Sequence, residues 1–145
     1  MKPLAPAVAV VLSLAMPATA DEATIKAHCA AKWSVDFEMQ AFCVKNQTEA
    51  FNAIQLVHAA EHDETLFGKA VGHCESRWTT DFEMQAFCME SQFLAIHAIA
   101  KAQYGLPTDV LEPARDLCIQ RWQPDFEMID FCITEQAEGW KGLQD

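Results

Sequence analysis

The chain has 145 residues, with 10 Lys and Arg against 21 Asp and Glu, a formal net charge of −11 and six cysteines. That length suits one domain and excludes the large catalytic folds. The acidic balance argues against a nucleic acid or an anionic membrane as partner, since both need basic patches; solubility is its plain reading.

Lys2 opens the chain, and the apolar run of residues 4–16 is too short to cross a bilayer comfortably. Pro17 breaks the run, and Ala18-Thr19-Ala20 forms a small-x-small cleavage site. Residues 1–20 read as a signal peptide, removed before Asp21, and residues 21–145 as a single helical domain with no transmembrane span after cleavage. The expected compartment is the periplasm or the exterior, where thiols oxidise and an even number of cysteines forms a disulfide framework.

The next feature is a repeat. Residues 29–47, 74–92 and 118–136 each read Cys-x3-Trp-x2-Asp-Phe-Glu-Met-x2-Phe-Cys-x3-Gln, and the three copies use every cysteine. A fixed period of about 45 residues signals one supersecondary unit stacked on its neighbours. Helical spacing of Met39, Phe42, Cys43, Ala50, Ala53, Ile54 and Val57, matched by Met84, Phe87, Cys88, Ala95, Ala98 and Ile99, predicts a long second helix in each unit. The repeats are expected at about 24–60, 65–104 and 112–139. First helices are predicted over 24–33, 65–78 and 113–122, the last begun by Glu112-Pro113. The middle second helix is predicted to end at Tyr104 with Gly105 as its cap, and the last to run over 124–139. Gly68 and Gly72 either weaken the middle first helix or let another helix approach.

In each unit the two cysteines stand equally far in sequence from Asp36, Asp81 or Asp125. A turn just before the Asp places them at equal heights on two antiparallel helices, within the approach of about 7 Å that a disulfide needs. The predicted pairs are Cys29–Cys43, Cys74–Cys88 and Cys118–Cys132. Ser34 and Thr79 are the expected N-caps of the second helices, with Pro124 at a first helical position and the Asp and Glu in the first turn, where the helix dipole favours them. The fold class is therefore all-α: three disulfide-stapled antiparallel hairpins stacked as a short array.

Trp33, Trp78 and Trp122, with Met39, Met84 and Met128 and the neighbouring Phe residues, are assigned to the repeat core. Three copies of the Asp-Phe-Glu-Met carboxylate pair have a capping role before a catalytic one. Gln47, Gln92 and Gln136, each four residues after the second cysteine, are expected to satisfy backbone groups at a helix contact. His58-Ala-Ala-Glu61-His62 matches a zinc-protease pattern once, outside the repeats. It is read as a helix end, leaving His58 and His62 as weak metal candidates only. His28 and His73 precede repeat cysteines, but Leu117 takes the third place, so no shared role is assigned. No redox Cys-x-x-Cys, phosphate loop or Gly-x-Ser-x-Gly elbow occurs.

The unit, as in Cys74-Glu-Ser-Arg-Trp78-Thr-Thr-Asp81-Phe-Glu-Met84-Gln-Ala-Phe-Cys88-Met-Glu-Ser-Gln92, resembles a short motif of uncharacterised bacterial exported proteins. That resemblance implies a structural module and carries no activity with it. The functional expectation is a non-enzymatic secreted or periplasmic repeat protein, without a cofactor, that binds another protein or serves envelope maintenance. The alternative is a small-ligand or copper or zinc binding protein using Met and His.

Overall fold

The computed structural model describes residues 20–60, 64–102 and 104–145; the predicted leader, apart from its last residue, and His62 lie outside them. Six helices and no strand occur among the described residues: α1 (Ala20–Trp33), α2 (Phe37–Ala60), α3 (Leu66–Arg77), α4 (Phe82–Lys101), α5 (Thr108–Trp122) and α6 (Phe126–Gly142). Disulfides Cys29–Cys43, Cys74–Cys88 and Cys118–Cys132 staple α1 to α2, α3 to α4 and α5 to α6, each with Cα atoms 5.7 Å apart. The equal cysteine spacing about each Asp thus does what symmetry requires. It brings two Cβ atoms to one level across a hairpin.

The second helices form the spine. Each first helix packs on its own second helix, while α2 packs along α4 and α4 along α6. Two buried clusters fill the two junctions. One holds Ile25, Ile54, Val71, Phe82 and Met89 with the first two cystines; the other holds Ile96, Leu106, Leu111, Phe126, Ile129 and Ile133 with the third. Phe93 touches both clusters and meets Phe67 edge-on at 5.0 Å. Each core therefore belongs to a pair of repeats rather than to one, as expected for units that cannot bury their apolar faces alone.

Helix starts differ from the expected register. Asp81, not Thr79, is the N-cap of α4, and Asp125, one residue after Pro124, is that of α6; their side chains accept hydrogen bonds from the Met84 and Met128 N–H groups at 3.2 and 3.3 Å. Asp36 accepts from the Met39 N–H in the same way at 3.0 Å. A carboxylate at the cap satisfies an orphan N–H and faces the positive end of the dipole. Ser34 instead sits at φ 43°, its N–H bonded to the Ala30 carbonyl, and ends α1. Pro124 follows a cis peptide bond and lies outside α6.

The last first helix begins at Thr108 and not at Pro113, which lies inside it. Buried Leu106 and Leu111 anchor this segment in the second core, and the Pro107 carbonyl accepts from the Val110 and Leu111 N–H groups. Tertiary burial here overrides the proline signal. α4 stops at Lys101, three residues before the expected Tyr104, which has φ 53° beside Gly105 at φ 67°. Gly72 does not mark a close helix approach, since a Cβ built there meets nothing within 4 Å.

The assigned repeat core needs correction. None of Trp33, Trp78, Trp122, Met39, Met84 and Met128 is fully buried. Trp33 and Trp78 are half-buried at the margin of the first core, Trp122 is 39% exposed, and the three Met residues are half-buried. All six sit at the turn end of their hairpins, the Trp closing a first helix and the Met in the opening turn of a second. Their side chains cover the rim of the bundle, where Lys32 and Arg77 approach the Trp33 and Trp78 rings at 6.0 and 5.8 Å. Between the helices lie the cystines, Ile, Leu and Ala side chains, Phe82, Met89 and Phe126, and three glutamines.

Candidate functional site

Two of the three buried glutamines, Gln47 and Gln92, build the junctions between repeats. Gln47 on α2 is 0% exposed, and its side-chain oxygen accepts from the Phe82 N–H at 2.7 Å. Its amide nitrogen donates to Asp81 Oδ1 at 2.8 Å and to Glu83 Oε2 at 3.2 Å. Gln92 on α4 repeats the arrangement one unit on, with the Phe126 N–H at 2.6 Å, Asp125 Oδ1 at 2.9 Å and Glu127 Oε2 at 3.3 Å. One primary amide thus serves both needs of a helix start, an acceptor for an orphan N–H and a donor to the capping carboxylate. This is the role expected of the glutamines, with the contact falling between repeats.

A histidine accompanies each clamp. His28 Nε2 lies 3.6 Å from Asp81 Oδ2, and His73 Nε2 lies 3.6 Å from Asp125 Oδ2. That is longer than a hydrogen bond, and both nitrogens are buried without another partner. Burial pushes the Asp81 carboxyl up, but the Gln47 and Met84 donors and the positive charge of His28 and Lys32 outweigh it and hold the group below its ordinary 3.8. The sequence concealed this role because it looked for the histidine in every repeat. His28 and His73 reach forward to the next unit, and the third repeat, with Leu117, has no successor among the described residues. Presence in all copies but the last was the available signal.

The carboxylate pairs are therefore occupied by capping and clamping, and the six cysteines by staples. His58 Nε2 sits 2.6 Å from Glu75 Oε1 and links α2 to α3. Among the described residues no three His, Cys, Asp or Glu side chains gather where they could hold a metal ion.

What remains open to solvent is aromatic and periodic. Phe42, Phe87 and Phe131, expected in the core, are 57, 63 and 58% exposed. Each directly precedes the second cysteine of its repeat and stands four residues after Glu38, Glu83 or Glu127, so one phenyl ring and one carboxylate share a helix face in every unit. The cystine takes the inward position, which turns the preceding residue outward. Between α4 and α6 this face opens into a groove of about 470 Å³, with Leu94, Ala98 and Phe131 as apolar wall and Glu127 and Asp130 as acids. Asp130 accepts from the Tyr104 hydroxyl at 2.5 Å; burial and that carboxylate raise the Tyr104 hydroxyl far above its ordinary value.

A second recess of about 240 Å³ is almost wholly apolar, lined by Leu66, Ile96, Ile99, Ile119, Phe126 and Ile129. Arg115 lies at its edge, with Nη2 3.5 Å from the Ile99 carbonyl and a buried Nε that has no hydrogen-bond partner. No described helix is long and apolar enough to cross a membrane. No family model, no curated protein and no solved structure matches the chain.

Proposed function

We propose that the chain is a non-enzymatic protein-binding module of the periplasm or exterior, recognising segments that alternate apolar and basic side chains. The observation that carries this reading is the exposed Phe42, Phe87 and Phe131 ladder, each ring four residues after a Glu on the same helix. A lone exposed apolar residue needs no explanation, whereas equivalent rings from successive repeats form the extended surface such arrays use for binding. The excess of acid, 21 residues against 10 basic, selects a cationic partner and steers its approach. The three staples fit maturation in an oxidising compartment, and the resemblance to a motif of exported bacterial proteins agrees with that. Structural partners for the repeated Asp and Glu support a role other than catalysis.

Display of random peptides against the oxidised chain tests the proposal. Peptides rich in Lys or Arg with interspersed apolar residues should be enriched, bind more weakly at high salt, and lose binding in Phe42→Ser/Phe87→Ser/Phe131→Ser. Equal binding to the triple variant, or no enrichment of such peptides, refutes it.

A second reading, small-ligand binding, has the apolar recess and the unpartnered Arg115 Nε in its favour. That chemistry suits a short aliphatic carboxylate. Octanoate should then raise the melting temperature of the parent and not of Arg115→Gln; no shift in the parent removes the reading.

A further inference from the structure

We propose that the chain associates head to tail with further copies of itself, the open face of the third repeat docking on the open start of the first through the same clamp that joins the repeats internally. This surface is distinct from the Phe ladder and does not depend on it.

Each internal junction has two halves. The donor half is a glutamine and two large apolar residues four and seven positions later on a second helix. At the first junction these are Gln47, Phe51 and Ile54, and at the second Gln92, Ile96 and Ile99. The acceptor half is an N-capping Asp followed by a Phe and a Glu at the start of the next second helix. The Phe ring is buried by the donor half. Phe82 is 8% exposed and meets Phe51 edge-on at 5.1 Å, and Phe126, 5% exposed, packs with Ile96.

The described chain carries one further copy of each half, and neither meets its counterpart, although Trp140 of the donor half already packs in part against the second core. Asp36, Phe37 and Glu38 form an acceptor half in which Asp36 already caps the Met39 N–H, as Asp81 and Asp125 do at their helices. Phe37, at the position where Phe82 and Phe126 are buried, is 76% exposed. At the other end, Gln136, Trp140 and Leu143 form a donor half with the same spacing. The Gln136 side chain, unlike those of Gln47 and Gln92, makes no clamp to another described residue. Leu143, the C-cap of α6, follows Gln136 by seven positions, as Ile54 and Ile99 follow Gln47 and Gln92, and it is 83% exposed. Terminal repeats of stacked arrays ordinarily present a polar outer face. These two present apolar groups that are complementary to each other.

A second copy is therefore the occupant that this geometry specifies. Repeating the internal step between molecules would give Gln136 the Phe37 N–H and the Asp36 carboxylate, and would cover Phe37 with Trp140 and Leu143. The contact is heterologous, so copies add in a line or close a ring according to the rotation per step. It is weaker than the internal joints for two stated reasons. Leu117 replaces the histidine that faces the next Asp in the first two repeats, and separate molecules lose translational and rotational freedom on joining. Assembly should follow concentration accordingly.

Sedimentation equilibrium of the oxidised full chain, from micromolar to millimolar protein, is the test, with Phe37→Asp spoiling one face and Leu143→Asp the other. Both side chains are exposed, and circular dichroism with non-reducing mass measurement confirms that each variant keeps its helices and disulfides. The parent should show a weight-average mass that rises with concentration. Each variant alone should stay at monomer mass, and an equimolar mixture should reach twice that mass and stop, since one good face of each kind remains. A parent that stays monomeric throughout overturns the proposal. So does a mixture that fails to dimerise while the parent associates, because the interface is then not head to tail, and so does association of either variant alone at parental strength.

Discussion

Replacing the three repeat glutamines one at a time by Met turns the array into its own control. Met is unbranched and close to Gln in volume, so no cavity is opened and overpacking is avoided. In Gln92→Met the Phe126 N–H, paired at 2.6 Å and buried, loses its acceptor, and Asp125 loses a donor at 2.9 Å. A stranded buried N–H costs about 1–3 kcal/mol. The carboxylate keeps the Met128 N–H and is partly wet, so its loss is smaller, about 1 kcal/mol. Together the change should destabilise the oxidised protein by about 2–4 kcal/mol, a large share of the roughly 5–15 kcal/mol net stability of a domain. Gln47→Met should cost the same, since its bonds at 2.7 and 2.8 Å are the same bonds one unit earlier. Gln136→Met breaks nothing and should stay within about 0.5 kcal/mol of the parent. Guanidinium unfolding of the dilute proteins measures all three; a fall in slope along with midpoint would show that the third repeat has uncoupled. Equal losses at all three positions, or none at Gln47 and Gln92, would show that the amides are not what joins the repeats.

Four further outcomes are expected. Because folding lowers the Asp81 pKa, the native state binds fewer protons than the unfolded chain just below 3.8, so stability is present above that value and lost as pH falls through the folded value; Asp81→Asn, which keeps a capping side chain, should flatten this acid limb in urea titrations at stepped pH. Removing one staple as Cys118→Ala/Cys132→Ala should cost about 3 kcal/mol, the expectation for a loop of about 15 residues, and peptide mapping of the parent should find no bridge between repeats. Trp78→Ala should cost about 2 kcal/mol, below the roughly 3–5 kcal/mol of a fully buried ring, because the ring is half-buried; a thermal melt showing the full core penalty would contradict its rim position. Gly72→Ala, in the interior of α3 with open space at the Cβ, should stabilise by about 0.5–1 kcal/mol in the same melt.

The hairpins and their staples were legible because one covalent constraint is written three times. Cysteines equidistant from a turn admit few other pairings, and the long second helices carry unbroken helical periodicity. Helix starts were less legible. Ser34, Thr79 and Asp36 are all capping residues, and local preference does not choose between a hydroxyl and a carboxylate two residues apart. The carboxylate caps in all three units, and in the second and third the Gln of the previous repeat adds a long-range contact to it. The start of α5 lies before Pro113 because Leu106 and Leu111 are drawn into a core shared by the second and third repeats. The aromatic set misled differently. Phe42 and Phe82 are both motif phenylalanines, yet one faces solvent beside its cystine and the other closes the joint.

Binding surface and joint are separated by which positions keep their environment from repeat to repeat. Phe42, Phe87 and Phe131 are equally exposed in all three units, so their exposure is a property of the unit itself and survives any stacking. Phe37, Phe82 and Phe126 are not equivalent in environment although identical in sequence, so their burial belongs to the neighbour. The same division sorts the polar residues. Asp36, Asp81 and Asp125 each cap their own helix, while only the latter two receive an amide from the unit before. A selection for binding along the array acts on the first kind of position and can vary it freely without loosening the stack. A selection for assembly acts on the second kind. Leu117, standing where His28 and His73 stand in the earlier units, is such a difference confined to a joint. It softens the last donor face while leaving Gln136, Trp140 and Leu143 in register.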